Sequence, residues 1–387
     1  MNVMPIQATE DHASARPRVM MLADPALALG ALGLVACSMI TLKGATSAHY
    51  AERQGLYAAL GIAVALVLAR IDYSRLREYR YGFYALLIAG NIFVYGMPRV
   101  KGAHRWIPLP FIQVQPSEFG KILLILALAS FVVDRSRRLY EWRTTARIML
   151  LALIPALVVI PQPDLGTSMV FVAVGFAVLF VAGTSWKQLT ALAVMFVAAI
   201  AIVIGGAPAV GVQVLKPYQM QRLTGFLHPS HDPRTQTYNI TESLIAVGSG
   251  GKTGRGANAT QTKLNFLPAP NTDFIFSAVG ELYGFAGAAL VLSLYALLIW
   301  RGLRILTMAK NLYGAVIAGG LIAMVMFQVF VNVGMTIGIM PITGVPLPLM
   351  SYGGSSVLVT FIAIGLLQSI HIQARRTAAS KGRALIS

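Results

Sequence analysis

The sequence predicts an all-α, polytopic integral membrane protein with about ten transmembrane helices, both termini cytoplasmic, and one long, partly structured extracytoplasmic loop. Three observations carry this. The 387 residues are 56% hydrophobic and only 12% charged, about half the charged fraction of a soluble domain. The apolar residues come in blocks of about 17–25, the length that crosses hydrocarbon. The cations concentrate in alternate loops, as the positive-inside rule requires.

Residues 1–21 are polar and read as a cytoplasmic tail without a cleavable signal, because the apolar run after them is span-length. The membrane domain covers 22–372, with spans near 22–43, 54–71, 82–98, 119–134, 147–162, 164–184, 188–207, 273–300, 312–340 and 351–372. A second cytoplasmic tail occupies 373–387. With the N-terminus inside, the inner loops hold Arg70, Arg75, Arg77 and Arg80, then Arg135, Arg137, Arg138, Arg143 and Arg147, then Lys187, then Arg301, Arg304 and Lys310. The net charge of +17 is therefore mostly topology. Charge dispersed over short loops suits anionic lipid headgroups and not nucleic acid. The single Cys37 lies inside the first span and has no internal disulfide partner.

Three features interrupt the helices. Residues 99–118 mix aromatics, prolines and cations, which suggests an interfacial segment on the outer side. Residues 161–164, Pro-Gln-Pro-Asp, make a tight outer turn. The loop from about 208 to 272 is long enough to be functional, and its apolar residues and the run Gly248-Ser249-Gly250-Gly251 favour folded structure over disorder. The sequence carries no zinc spacing, Walker motif or serine nucleophile elbow. Its six histidines are scattered.

The 14 acidic residues are few enough to sort by depth. Glu118, Asp164, Asp232, Glu242, Asp273 and Glu281 map to the outer half, where an ionisable group must be paired, watered or functional. Asp273 stands where the long loop enters the eighth span and reads equally as a helix cap or a catalyst; Thr272 is a second candidate cap. Glu281 lies eight residues deeper and reads as an ion-pair partner or a chemical group. Glu118 and Lys121 share a helix face, either as a local ion pair or with Lys121 meeting an anionic substrate.

Several motifs carry a resemblance. Gly102-Ala103-His104-Arg105-Trp106-Ile107, Gln115-Pro116-Ser117-Glu118-Phe119-Gly120-Lys121 and Gln162-Pro163-Asp164-Leu165-Gly166-Thr167 resemble the SEDS family of cell-wall polymerases (shape, elongation, division, sporulation). So do Tyr238-Asn239-Ile240, Phe266-Leu267-Pro268, Thr272-Asp273-Phe274-Ile275-Phe276 and Pro346-Leu347-Pro348 with Ser351-Tyr352-Gly353-Gly354-Ser355. Residues 340–346 look like the elongation branch more than the division branch. Where the family usually has Pro-Glu-x-His-Thr-Asp, this chain has Pro268-Ala269-Pro270-Asn271-Thr272-Asp273.

The resemblance implies a peptidoglycan glycosyltransferase acting on lipid II at the extracytoplasmic face of the bacterial inner membrane. It implies Asp273 as general base and a class B penicillin-binding protein among other elongation-complex partners. Substrate contacts are expected from Arg105, Trp106, Glu118, Lys121, Arg222, Glu242, Lys252, Arg255, Thr272, Glu281, Ser351 and Ser355. A diphosphate can bring Mg²⁺ or Mn²⁺ through one or two carboxylates, for which Glu242 or Asp232 are candidates; no organic cofactor is expected. A lipid II flippase or transporter and a division-type polymerase remain the alternatives.

Overall fold

The computed structural model describes residues 23–98, 103–108, 113–206, 208, 217–227 and 237–384. Asp232 lies outside them. Each of the ten expected spans finds a helix: α1 Pro25–Ala45, α2 Ala48–Arg70, α3 Arg80–Phe93, α4 Pro116–Asp134, α5 Trp142–Val159, α6 Leu165–Val181, α7 Trp186–Ala201, α8 Ile275–Met308, α9 Leu312–Thr336 and α10 Gly354–Ala384. Eight are long and apolar enough to cross a membrane by length and composition, counting α7 with its π-helical extension to Gly206. Helix α6 is a shorter apolar helix, and α3 is continued by 3₁₀ turns at Tyr73–Tyr79 and Val94–Gly96.

Several helix starts, those of α2 and α5 most of all, fall earlier than hydropathy places them. Helix α2 begins at Ala48 and α5 at Trp142, so Glu52, Arg53, Arg143 and Arg147 belong to helical first turns and not to loops. An apolar window misses such turns, although Arg and Glu are good helix formers.

Helices α4, α9 and α10 form the centre of the bundle, whereas α7 is only 11% buried and offers its apolar surface to lipid. At the N-terminal end of α1, Asp24 caps the helix by accepting from Leu27 N at 3.0 Å and is fully buried. It also accepts from Arg301 Nε of α8 at 3.0 Å, while its backbone exchanges two 2.8 Å bonds with Gln368 of α10. One residue thus ties three helices at a single face. Gly319 and Gly320 of α9 leave no groove for a lipid tail: Val181 and Ile125 pack directly against them. Their role is close helix approach.

The described part of the outer loop is folded, as its composition suggested. Helix Tyr238–Ser249 leads into a segment that lies backbone-to-backbone on α8. Arg255 N donates to Glu281 O at 2.8 Å, Phe285 N to Gly251 O at 2.9 Å, and Ala286 N to Lys252 O at 3.1 Å. The glycines make this approach possible. Helix α8 breaks at Gly284, whose φ of 65° is strained for any other residue, and a Cβ there would stand 2.3 Å from Gly254 N. The remaining stretch, 285–308, is about 36 Å long at the helical rise and crosses the hydrocarbon by itself.

Candidate active site

The even-numbered helices α2, α4, α6, α8 and α10 all start on the face opposite the one where α1 begins. Their N-terminal ends surround a cleft of about 640 Å³. Helix N-termini carry partial positive charge, so this geometry favours an anionic ligand.

Asp273 lines the cleft and is half-buried. It is not a helix cap, and neither is Thr272: α8 starts at Ile275, with Phe274 in the cap position and no side-chain cap. The reason is lateral anchoring. Tyr352 N donates to Asn271 O at 2.8 Å, Ser351 Oγ to Thr272 O at 2.7 Å, and Asn332 Nδ2 to Asp273 O at 2.9 Å. Three successive carbonyls are drawn sideways, which holds 271–273 out of the helix. Asn332 is fully buried and also donates to Val345 O at 2.8 Å. Gly344 therefore sits beside the carboxylate: a Cβ there would be 3.6 Å from Asp273 Oδ2. Ala269 and Asn271, the two departures from the family pattern, line the cleft next to Asp273.

A second wall comes from the segment before α4 and from α6. Residues 107–108 and 113–114, within the expected interfacial segment, pair as a short antiparallel ladder, β1 and β2. Arg105 is anchored: its Nε donates to Gln162 O at 2.7 Å and its guanidinium lies 5.9 Å from the Trp106 ring centroid. Asp164 caps α6 by accepting from Thr167 N at 3.2 Å, and its other oxygen accepts from Gln115 Nε2 at 2.9 Å and Ser117 Oγ at 3.1 Å. Ser355 Oγ donates to Gln113 O at 2.8 Å and accepts from Gln115 N at 3.1 Å, fastening α10 to the ladder. Arg222 reaches the cleft from the outer loop.

Of the residues expected to meet substrate, Asp273, Arg105, Trp106, Glu118, Arg222, Thr272 and Ser355 line this cleft; the others do not. Lys121 is 1% exposed and ion-paired with Glu118 at 2.7 Å, so it is not a free cation awaiting an anion. Only Glu118 lines the cleft, with Oε2 buried and without a hydrogen-bond partner. Ser351 is a buried backbone clamp, donating to Thr272 O and accepting from Leu347 N at 2.8 Å. Among the described residues Glu281 makes no ion pair, and it is not a deep membrane charge. The outer loop covers it, and its carboxylate accepts from Gln261 N and Thr262 N at 2.8 Å and from Thr262 Oγ1 at 2.5 Å.

Lys252 and Arg255 are exposed and away from the cleft lining, because their backbones serve the contact with α8. Glu242 is buried in the helix Tyr238–Ser249. There, burial and the Glu242 carboxylate hydrogen-bonded to it push the Tyr238 phenol above its ordinary value. Sequence reasoning missed Tyr50, Arg53, Tyr57 and Tyr352, all in the cleft lining. The missed signal was the spacing 50, 53, 57, one face of a helix starting at Ala48.

Comparison with known proteins agrees with this architecture. The chain is 38% identical over 354 residues to peptidoglycan glycosyltransferase MrdB of Escherichia coli K12, covering 90% of this chain and 93% of that protein. A chain from a peptidoglycan synthase complex, solved for the structural coordination of polymerization and crosslinking, superposes with a TM-score of 0.78 at 30% identity over 91% of this chain and 98% of its own. The crystal structure of rod shape determining protein RodA from Thermus thermophilus superposes with a TM-score of 0.66 at 29% identity, covering 90% and 96%. The FtsW/RodA/SpoVE family of cell cycle proteins matches residues 17–376, and the chain belongs to that family.

Proposed function

We propose that this peptidoglycan glycosyltransferase polymerises lipid II into glycan strands on the extracytoplasmic face of the bacterial inner membrane during cell elongation. The observation that carries the reading is Asp273, held by three lateral backbone anchors in a cleft that also presents Arg105 and Arg222.

The acceptor hydroxyl oxygen attacks the anomeric carbon of the donor sugar. The bond from that carbon to the diphosphate oxygen breaks, and its electron pair leaves with the lipid diphosphate. The hydroxyl proton passes to the Asp273 carboxylate, a general-base contribution of about 10²–10⁴ in rate. Negative charge grows on the leaving diphosphate, and Arg105, already fixed by Gln162 and Trp106, meets it without reorganising. Arg222 adds a second cation from above. Glu118 Oε2, buried without a partner, offers an acceptor to a sugar hydroxyl or amide N–H.

Mg²⁺ or Mn²⁺ would enter as the companion of the diphosphate. Glu242 does not line the cleft, and no group of three or more His, Cys, Asp or Glu residues gathers among the described residues. A class B penicillin-binding protein is the proposed partner, supported by the synthase-complex relative, with other elongation proteins around it.

Purified protein with its partner should polymerise lipid II, and Asp273→Asn should lower the rate at least about 10²-fold with folding and partner binding intact. Normal polymerisation by the variant would refute the general base. Transbilayer movement of lipid II by the wild type without polymer would favour the flippase. The division role, as in FtsW, is separated by which mutant the gene complements.

A further inference from the structure

Joining one lipid-linked sugar to another puts two lipid diphosphates on the protein at once, one that leaves and one that stays. This follows from the reaction proposed above, and it asks for a second anion-binding pole. Arg105 and Arg222 were assigned to the first. The α2 wall carries the other cation of the cleft.

Helix α2 starts at Ala48, so Tyr50, Arg53 and Tyr57 recur at i, i+3 and i+7 along one stripe, and all three line the cleft. Tyr50 and Tyr57 both pack on Tyr352, with ring centroids 4.9 and 6.2 Å apart. Tyr352 N in turn holds Asn271 O, two residues before Asp273. The adjoining Gln54 is fully buried and donates to Ser351 O at 3.1 Å, which fixes the rotation of α2 against this segment. The stripe is thus tied structurally to the segment that carries Asp273.

Arg53 itself is exposed and makes no ion pair among the described residues. Arg105 makes no ion pair among them either, but it is fixed by Gln162 O and the Trp106 ring, and that anchoring assigns the two poles. A leaving diphosphate gains charge in the transition state and needs a fixed cation. A retained diphosphate keeps its charge throughout, so a mobile cation that binds ground state and transition state equally is sufficient. We propose that Arg53, flanked by Tyr50, Tyr57 and Tyr352, is the diphosphate pole of the acceptor subsite.

The test uses full-length protein with its partner, a lipid-linked oligosaccharide donor held in excess, and lipid II varied as acceptor. Arg53→Ala should raise the acceptor KM about tenfold, the loss of one charge-assisted contact, while kcat stays within about twofold. Arg53→Lys should recover part of the loss, and Arg105→Ala should lower kcat instead. Arg53→Gln, with a long polar side chain in place, repeats the test should the alanine variant fold poorly. An unchanged acceptor KM, a raised donor KM, or a fall in kcat alone would overturn the assignment. Failure of the underlying reaction is visible separately, as wild-type protein that makes no polymer at any substrate concentration.

Discussion

The Glu118–Lys121 pair sets up a sharp energetic test. Lys121 Nζ lies 2.7 Å from Glu118 Oε1, with the two side chains 1% and 4% exposed, so neither charge is compensated by bulk water. Lys121→Met keeps the volume but strands the carboxylate. Leaving one member of a buried pair costs about 3–5 kcal/mol, or about 10²–10³-fold in the folded-to-unfolded ratio at about 1.4 kcal/mol per decade. The penalty is aggravated because Glu118 Oε2 already has no partner. Unfolding in mixed micelles, titrated with a denaturing detergent, should show the loss as a lower midpoint. The double replacement Glu118→Gln with Lys121→Met removes both charges and should restore most of the stability. It should not restore polymerisation, because Glu118 lines the cleft. A single variant as stable as the wild type, or a double variant as unstable as the single, would refute the view that Lys121 serves Glu118.

Two further outcomes follow from buried carboxylates elsewhere. Arg301→Leu should destabilise the protein by about 3 kcal/mol, the low end for a stranded buried charge, because Arg301 is 24% exposed while Asp24 is fully buried; detergent-induced unfolding with activity measured below the midpoint checks it. Glu281→Gln replaces a carboxylate that accepts three hydrogen bonds with an amide that must face some of those donors with its own N–H groups. It should cost about 1–3 kcal/mol and expose 250–263 to faster trypsin cleavage at Lys252, Arg255 and Lys263.

How much of this was legible in the sequence depends on which physical constraint wrote each feature. The ten helices were legible because hydrocarbon thickness imposes a length on every apolar run. The pairing of Glu118 with Lys121 was legible as a spacing, yet spacing alone did not say that the pair consumes the lysine. Burial decided that. Lys252 and Arg255 looked like substrate cations because they sit in an outer loop. Gly250 and Gly254 nearby answer to Gly280 and Leu282 of α8, where a Cβ would collide with backbone, and such contacts between distant segments leave no local trace.

Arg53 went unseen for a different reason. A hydropathy window starts α2 at the first apolar residue, whereas the helix starts at Ala48 and carries its polar first turns into the cleft. The other even-numbered helices also bring polar residues at their starts into the cleft. Glu118 is in the first turn of α4, Asp164 caps α6, and Asp273 lies just ahead of α8. In a bundle whose site gathers the N-termini of alternate helices, charged residues within two turns of those starts are the ones to collect. That rule selects Arg53, Glu118, Asp164 and Asp273, which line the cleft, together with Glu52, Lys121 and Glu281, which do not. It passes over Lys252 and Arg255, which belong to no spanning helix, so the topology of the chain already contained the site that its motifs only partly outlined.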